Sequence, residues 1–181
     1  MKKPRIYYFT PYSFEKNIGD AYNQYMELLP DDEDWACFID GDACFLIPDF
    51  GHVIAGVVEK YPDAGMFTGY TNRVANIQQL YRGKFSDNAD IRYHRNIARV
   101  CREVNHCKVT ELNLPISGVI MVIQKKTWRE FNFSEGMLGV DNDISRRLIR
   151  AGRKVMLMQG IYMLHYYRFN EGRRNTQHLQ P

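Results

Sequence analysis

Residues Ala36 to Ile39 are apolar without a break; they follow the acidic loop Asp31-Asp32-Glu33-Asp34 and stop at Asp40-Gly41-Asp42. A run so short, bounded by turn signals, predicts a strand buried on both faces, and such strands belong to sheets covered by helices. Ile116 to Gln124 is a second strongly apolar run. The remaining periodicity agrees. Arg5–Thr10 predicts a first strand, and Ile18–Leu29 a helix ended by Pro30. Asp49–Tyr61 predicts a helix, Gly65–Thr68 a strand, and Ala89–Val104 a helix with Ile91, Ile97, Ala98 and Cys101 on one side. Lys126–Phe131 is expected to be a short helix. Asp143–Ala151 is expected to be a longer one, with Asp143 as N-cap and Gly152 as its stop. Lys154–Met158 and Ile161–His165 predict the last two strands. The polar stretch Asn72–Asn88 carries no periodic signal. Strands alternating with helices predict one α/β domain with a mixed, mostly parallel central sheet.

The chain's 181 residues, 45% of them hydrophobic, suffice for one core. The expected division is a compact domain over residues 1–168 and a polar, basic tail over 169–181. A net charge of +3 is too small for wholesale binding of nucleic acid, so no nucleic-acid partner is expected. No apolar run reaches the roughly 20 residues of a membrane span, and the first strand follows Met1-Lys2-Lys3-Pro4-Arg5 at once. A cytoplasmic protein without a transmembrane segment is expected. Cys37, Cys44, Cys101 and Cys107 form no CxxC and predict buried free thiols.

The carboxylates carry the chemistry. Side chains two apart on an extended backbone share a side, so Asp40 and Asp42 can face one site at a strand end, with Gly41 leaving room for a ligand. Ligands of open α/β sheets bind at that end. Two carboxylates there repel unless a cation sits by them, and oxygen ligands favour Mg²⁺ or Mn²⁺. A solvated turn whose aspartates cap the next segment would read the same way. Downstream, Val140-Asp141-Asn142-Asp143 precedes an amphipathic helix, leaving Asp141 free to face a pocket, and His165 closes the last apolar strand.

The order of these features resembles the GT-A glycosyltransferases, particularly the family 2 type. NIGDAYN, Asn17 to Asn23, is similar to the family's N-x-G-x-A-x-N, and Asp40-Gly41-Asp42 to its DxD. Ser117-Gly118 stands where a small residue and glycine open a family strand. VDNDISRRLIRAG resembles the acidic pair before a helix and sets Asp141 on the catalytic aspartate; His165 resembles the third metal ligand. The resemblance covers Arg5 to about Arg168. Two departures stand out: the DxD arrives already at residue 40, so base recognition is reduced or rebuilt from Thr10, Pro11 and Tyr12, and Val140 replaces the first acid of the pair.

The resemblance implies a GT-A-like, Rossmann-like three-layer domain that takes a nucleotide-diphosphate sugar, a UDP-sugar foremost. Mn²⁺ or Mg²⁺ would sit on Asp42 and His165, with Asp40 on the metal or the ribose. Asn17, Gly19 and Gly41 would border the donor, and Arg168, with Arg173 or Arg174, would close over the diphosphate. For an inverting reaction Asp141 is the base. Tyr70, Asn72, Arg73, Ser117, Gly118 and Asp143 are expected on the acceptor or sugar side. The acceptor would be a glycan or lipid-linked sugar, reached at the inner face of a membrane through peripheral contact. Two other readings remain open from sequence: a haloacid-dehalogenase-type phosphatase using Asp40 and Asp42, and a nucleotide-sugar-binding module without catalysis.

Overall fold

The computed structural model describes residues 4–166; Arg168, Arg173, Arg174 and the rest of the expected tail lie outside the described residues. In chain order the elements are β1 (Ile6–Phe9), α1 (Ile18–Glu27), β2 (Trp35–Ile39), β3 (Ala43–Phe45), α2 (Phe50–Lys60), β4 (Met66–Thr71), α3 (Ile91–Asn105), β5 (Val109–Leu112), β6 (Ile120–Gln124), α4 (Lys125–Glu130), α5 (Val140–Arg150) and β7 (Val155–His165). The seven strands form one open sheet in the order β1-β2-β6-β4-β7-β3, with β5 also paired to β7. Only β1–β2 and β4–β7 are parallel; β6 runs antiparallel to both its neighbours, and β3 and β5 run antiparallel to β7. The expected mostly parallel sheet is thus corrected to a mixed one. Burial shows in a sequence and direction does not: all five residues of β6 are buried, a pattern that reads alike either way.

Alternation along the central strands builds two cores. Trp35 and Cys37 of β2 join Ile120 and Val122 of β6 against Val53 and Val57 of α2 and Ala98 and Cys101 of α3. Ala36 and Phe38, with Met121 and Ile123, meet Met26 of α1, Trp128 of α4 and Ile144 and Leu148 of α5. The Val, Leu, Ile, Phe and Met side chains among them contribute about 1.5–3 kcal/mol each on burial, so covering both faces is the main stabilising term of the fold.

Several boundaries moved for local reasons. Helix α5 begins at Val140, capped by Gly139 in a left-handed conformation (φ 76°), so the N-cap role expected of Asp143 is corrected. Its N–H donates to the Gly139 carbonyl at 2.8 Å and closes the first turn. The two strands expected between Lys154 and His165 are one strand with a bulge: Gly69 pairs with Met158 but Tyr70 with Tyr162. Gln159 and Gly160, which read as a break, lie in that bulge, and a Cβ at Gly160 would meet the His106 carbonyl at 2.7 Å. Strands β3 and β5 were not foreseen. They are three and four residues long and flank the two halves of β7.

Charges at the start of β2 are paired within the chain. The Asp34 carboxylate, buried, accepts two hydrogen bonds from Arg5, each 2.7 Å. Asp32 pairs with Arg129 at 3.1 Å and Glu33 with Lys126 at 3.4 Å. Among the described residues, no helix is long and apolar enough to cross a membrane, and the four cysteines are free thiols.

Candidate metal centre

Strand β2 ends at Ile39, and the turn that follows is fixed at both ends. The Asp40 N–H donates to the Val119 carbonyl at 3.2 Å, and the Ala43 N–H to the Asp40 carbonyl at 3.1 Å. Strand β3 then pairs with the end of β7, setting Ala43 opposite His165, and the Tyr166 N–H donates to the Asp42 carbonyl at 2.8 Å. The strand missed by sequence reading is therefore what carries Asp42 to His165. His165 Nε2 lies 3.3 Å from Asp42 Oδ1. One ligand atom from each of Asp40, Asp42 and His165 falls within 4.8 Å of the others.

The imidazole is held from behind. His165 Nδ1 lies 2.9 Å from the Arg73 carbonyl, which can only accept, so Nδ1 carries the proton and Nε2 is the nitrogen presented to Asp42. The His165 N–H donates to Asn72 Oδ1 at 2.8 Å, and Asn72 Nδ2 donates to the carbonyls of His165 (3.3 Å) and Ser86 (3.2 Å). Asn72 and the Arg73 backbone, expected as sugar or acceptor contacts, are thus the support of His165.

The carboxyl groups and the imidazole of the cluster shift one another's titration. Burial pushes the Asp40 carboxyl up to about 7; His165 opposes this, while Asp42 and Asp141 add to it. Burial would also raise Asp42, but the hydrogen bond and charge of His165 win and hold it below the usual carboxylate value. Burial would lower His165, and Asp42 outweighs it, so the imidazole is raised.

Asp141, in the first turn of α5, lies outside that cluster but near enough for its charge to add to the rise of Asp40. Its Oδ2 accepts the Gly118 N–H at 2.5 Å, and a Cβ on Gly118 would lie 3.0 Å from Asp141 Cβ. Ser117 is clamped by Gln79, which accepts its N–H at 2.7 Å and donates to its carbonyl at 2.9 Å. Gln79, fully buried, also donates to Thr68 Oγ1 at 2.9 Å. No sequence pattern points to Gln79, because its role depends on two distant segments.

The NIGDAYN segment turns out to be a clasp. Asn17 Oδ1 caps α1 at the Asp20 N–H (3.2 Å) and accepts the Gly136 N–H (2.8 Å). Asn23 Oδ1 accepts from Trp128 Nε1 (2.8 Å) and the Phe133 N–H (3.0 Å). The Gly19 N–H donates to the Gly136 carbonyl at 3.1 Å, and a Cβ there would sit 1.8 Å from the Ser134 carbonyl oxygen. The Gly19 N–H, expected at the border of the donor, is thus engaged by the chain itself. The motif instead holds residues 133–136, the run-in to Gly139 and Asp141. Within it Tyr22, not singled out before, has its phenol pushed up by burial and then by the charges of Asp40 and Asp141.

The other expected residues take varied places. Thr10 borders the turn, its Cγ2 3.7 Å from a Cβ built on Gly41; Pro11 follows it, and Tyr12 is 76% exposed. Tyr70 meets Tyr81 edge-on at 5.8 Å. Asp143 is tied to Ser134 and, at 2.8 Å, to Arg147, rather than to the carboxylate cluster. Neither a protein-family model nor a curated protein sequence matches the chain, so the functional reading rests on this geometry.

Proposed function

We propose that the chain is a metal-dependent glycosyltransferase that moves a sugar from a nucleotide-diphosphate donor, a UDP-sugar foremost, to a hydroxyl of a glycan or lipid-linked acceptor. The observation that carries this is the orientation of His165. With Nδ1–H committed to the Arg73 carbonyl, neutral His165 would turn its Nε2 lone pair at the Asp42 carboxylate 3.3 Å away, beside a buried Asp40. Such convergence of lone pairs is stable only around a cation, a proton or a metal, and a histidine backed by a carbonyl is the usual form of a ligand histidine. Two carboxylates and one imidazole suit Mn²⁺ better than Mg²⁺, which prefers oxygen throughout.

When bound, the cation would offset the charge that develops on the departing diphosphate. The chain's own residues divide the remaining work. Asp40, Asp42 and His165 hold the donor end, and Gly41 leaves the backbone open to it. Asp141, oriented through Oδ2 by the Gly118 N–H, receives the acceptor's hydroxyl proton on Oδ1. The acceptor oxygen bonds to the anomeric carbon as the bond to the diphosphate breaks, and the diphosphate leaves with that electron pair. Attack opposite the leaving group inverts the centre. The mixed sheet with a core on each face, and carboxylates where β2 ends, is consistent with a Rossmann-like three-layer domain of the GT-A type. A dehalogenase-type phosphatase needs a lysine beside its aspartates. Lys154 pairs with Glu111 at 3.7 Å, at the end of β7 opposite His165.

Calorimetric titration of UDP tests the reading. Binding that requires Mn²⁺ and weakens at least about a hundredfold in Asp42→Ala supports it. UDP that fails to bind the folded protein, or binds equally well without metal, rejects it.

A further inference from the structure

A groove of 470 Å³ runs between α3 and the turn Tyr81–Ser86. One of its lining residues connects it to the candidate metal centre: the Ser86 carbonyl accepts from Asn72, the support of His165. Aromatic rings face the groove from both sides, Phe85 (54% exposed) from the turn and Tyr93 (44% exposed) from α3. Two exposed cations, Arg82 and Lys84, stand among them, and among the described residues no carboxylate lines the groove. Among the described residues neither cation is within ion-pair distance of an acid.

Arg82 is held there against its backbone preference. Its φ of 54° is left-handed, a conformation glycine adopts at lower cost, and Gly83 beside it has φ 66°. Its guanidinium lies 5.2 Å from the centre of the Tyr81 ring, at the groove. On the other flank of α3 a second groove of 300 Å³ shares Asn96 and carries Arg95 and Arg99, the latter 3.5 Å from Glu103.

The shape restricts the occupant. A concave site of this volume fits a small organic ligand rather than a duplex or a bilayer. Aromatic faces suit the C–H faces of a sugar ring, Asn96 and Ser86 suit hydroxyls, and an arginine–lysine pair without acids suits a carboxylate or phosphate. We propose that this groove is the acceptor subsite and that the acceptor is an anionic glycan, its sugar carrying a carboxylate or a phosphate. The acceptor role rests on the glycosyltransferase reading; the ligand class does not.

Calorimetry on the full chain, without metal or nucleotide, separates the two. The probes are hyaluronan tetrasaccharide against chitotetraose, mannose 6-phosphate against mannose, and inorganic phosphate as competitor. At least one charged sugar is expected to bind tenfold or more tighter than its uncharged match, and which one does so identifies the anionic group. The double variant Arg82→Gly, Lys84→Gln should lose at least tenfold of that affinity. Glycine keeps the left-handed turn, thermal unfolding reports the fold, and UDP binding with Mn²⁺ should be unchanged. Failure of both charged sugars at millimolar concentration overturns the inference. So does equal binding of their uncharged matches, equal displacement by inorganic phosphate, or full affinity in the double variant. Charged-sugar binding without any UDP binding rejects the transferase reading and keeps the ligand class; UDP binding without sugar binding does the reverse.

Discussion

Asp31–Asp34, just before β2, and Asp40–Asp42, just after it, are both dense in carboxylates, and the fold treats their charge in opposite ways. Before the strand, Arg5, Lys126 and Arg129 each meet an acid, and the buried carboxylate of Asp34 receives two hydrogen bonds from one guanidinium. Those contacts bind the starts of β1 and α4 to β2. After the strand, among the described residues, His165 is the cationic group beside Asp40 and Asp42, and burial pushes the Asp40 carboxyl up to about 7. The lesson is that acid content distinguishes nothing by itself. A carboxylate answered by a neighbouring guanidinium or ammonium holds the fold, whereas a buried carboxyl beside other carboxylates titrates away from its ordinary value, and such perturbed groups cluster at functional sites.

The sharpest way to break this comparison is Asp40→Asn. Metal affinity should fall about a hundredfold or more while the fold gains stability. The sign follows from the raised carboxyl: the folded state keeps its proton up to about 7, whereas the unfolded chain loses it near 3.8. Stability is therefore lost as pH rises through that interval, and removing the charge recovers on the order of 1–3 kcal/mol at about pH 8 and nothing near pH 4. Thermal melts at the two pH values, with Mn²⁺ calorimetry, check both halves; a destabilised Asp40→Asn at the higher pH would sink the comparison. Next in size is Asn72→Ala, which frees the backbone of His165 and should weaken Mn²⁺ binding by about 10–100-fold. Unchanged metal affinity in that variant would reduce Asn72 to packing. The smallest effect belongs to the other end of the strand. Asp34→Asn should lower the melting temperature by several degrees and leave Mn²⁺ affinity within about twofold.

Much of this plan was legible in the chain. The Ala36–Ile39 run and the Asp-Gly-Asp after it required only strand periodicity and charge repulsion, and both lie where expected. His165, which closes the last apolar run, comes to lie 3.3 Å from Asp42, and Asp141 is near enough for its charge to add to the rise of the Asp40 carboxyl. What stayed hidden depends on distant partners. β3 has three residues and no signal of its own, because its register comes from β7. The Asn72–Asn88 stretch looked featureless since Asn72 and Gln79 act by grasping backbone far along the chain. Asp143 resembled a cap because Gly139, the residue at the cap, offers no side chain to read. NIGDAYN was conspicuous, yet its glycine answers to the Ser134 carbonyl.

Strand β3 has one further effect. Asp42 is held beside His165 by an edge of three paired residues and one added hydrogen bond from Tyr166. Short edges belong to the least protected parts of a protein and open locally without global unfolding. Each opening carries Asp42 away from His165, so the observed affinity equals the intrinsic one scaled by the closed fraction. Exchange of the Ala43–Phe45 amides with solvent deuterium should then slow when Mn²⁺ is added, while the amides of β6 stay as they were. Ligand affinity and edge fraying become two readings of a single equilibrium, and substitutions on the outer side of β3 would tune the first by way of the second.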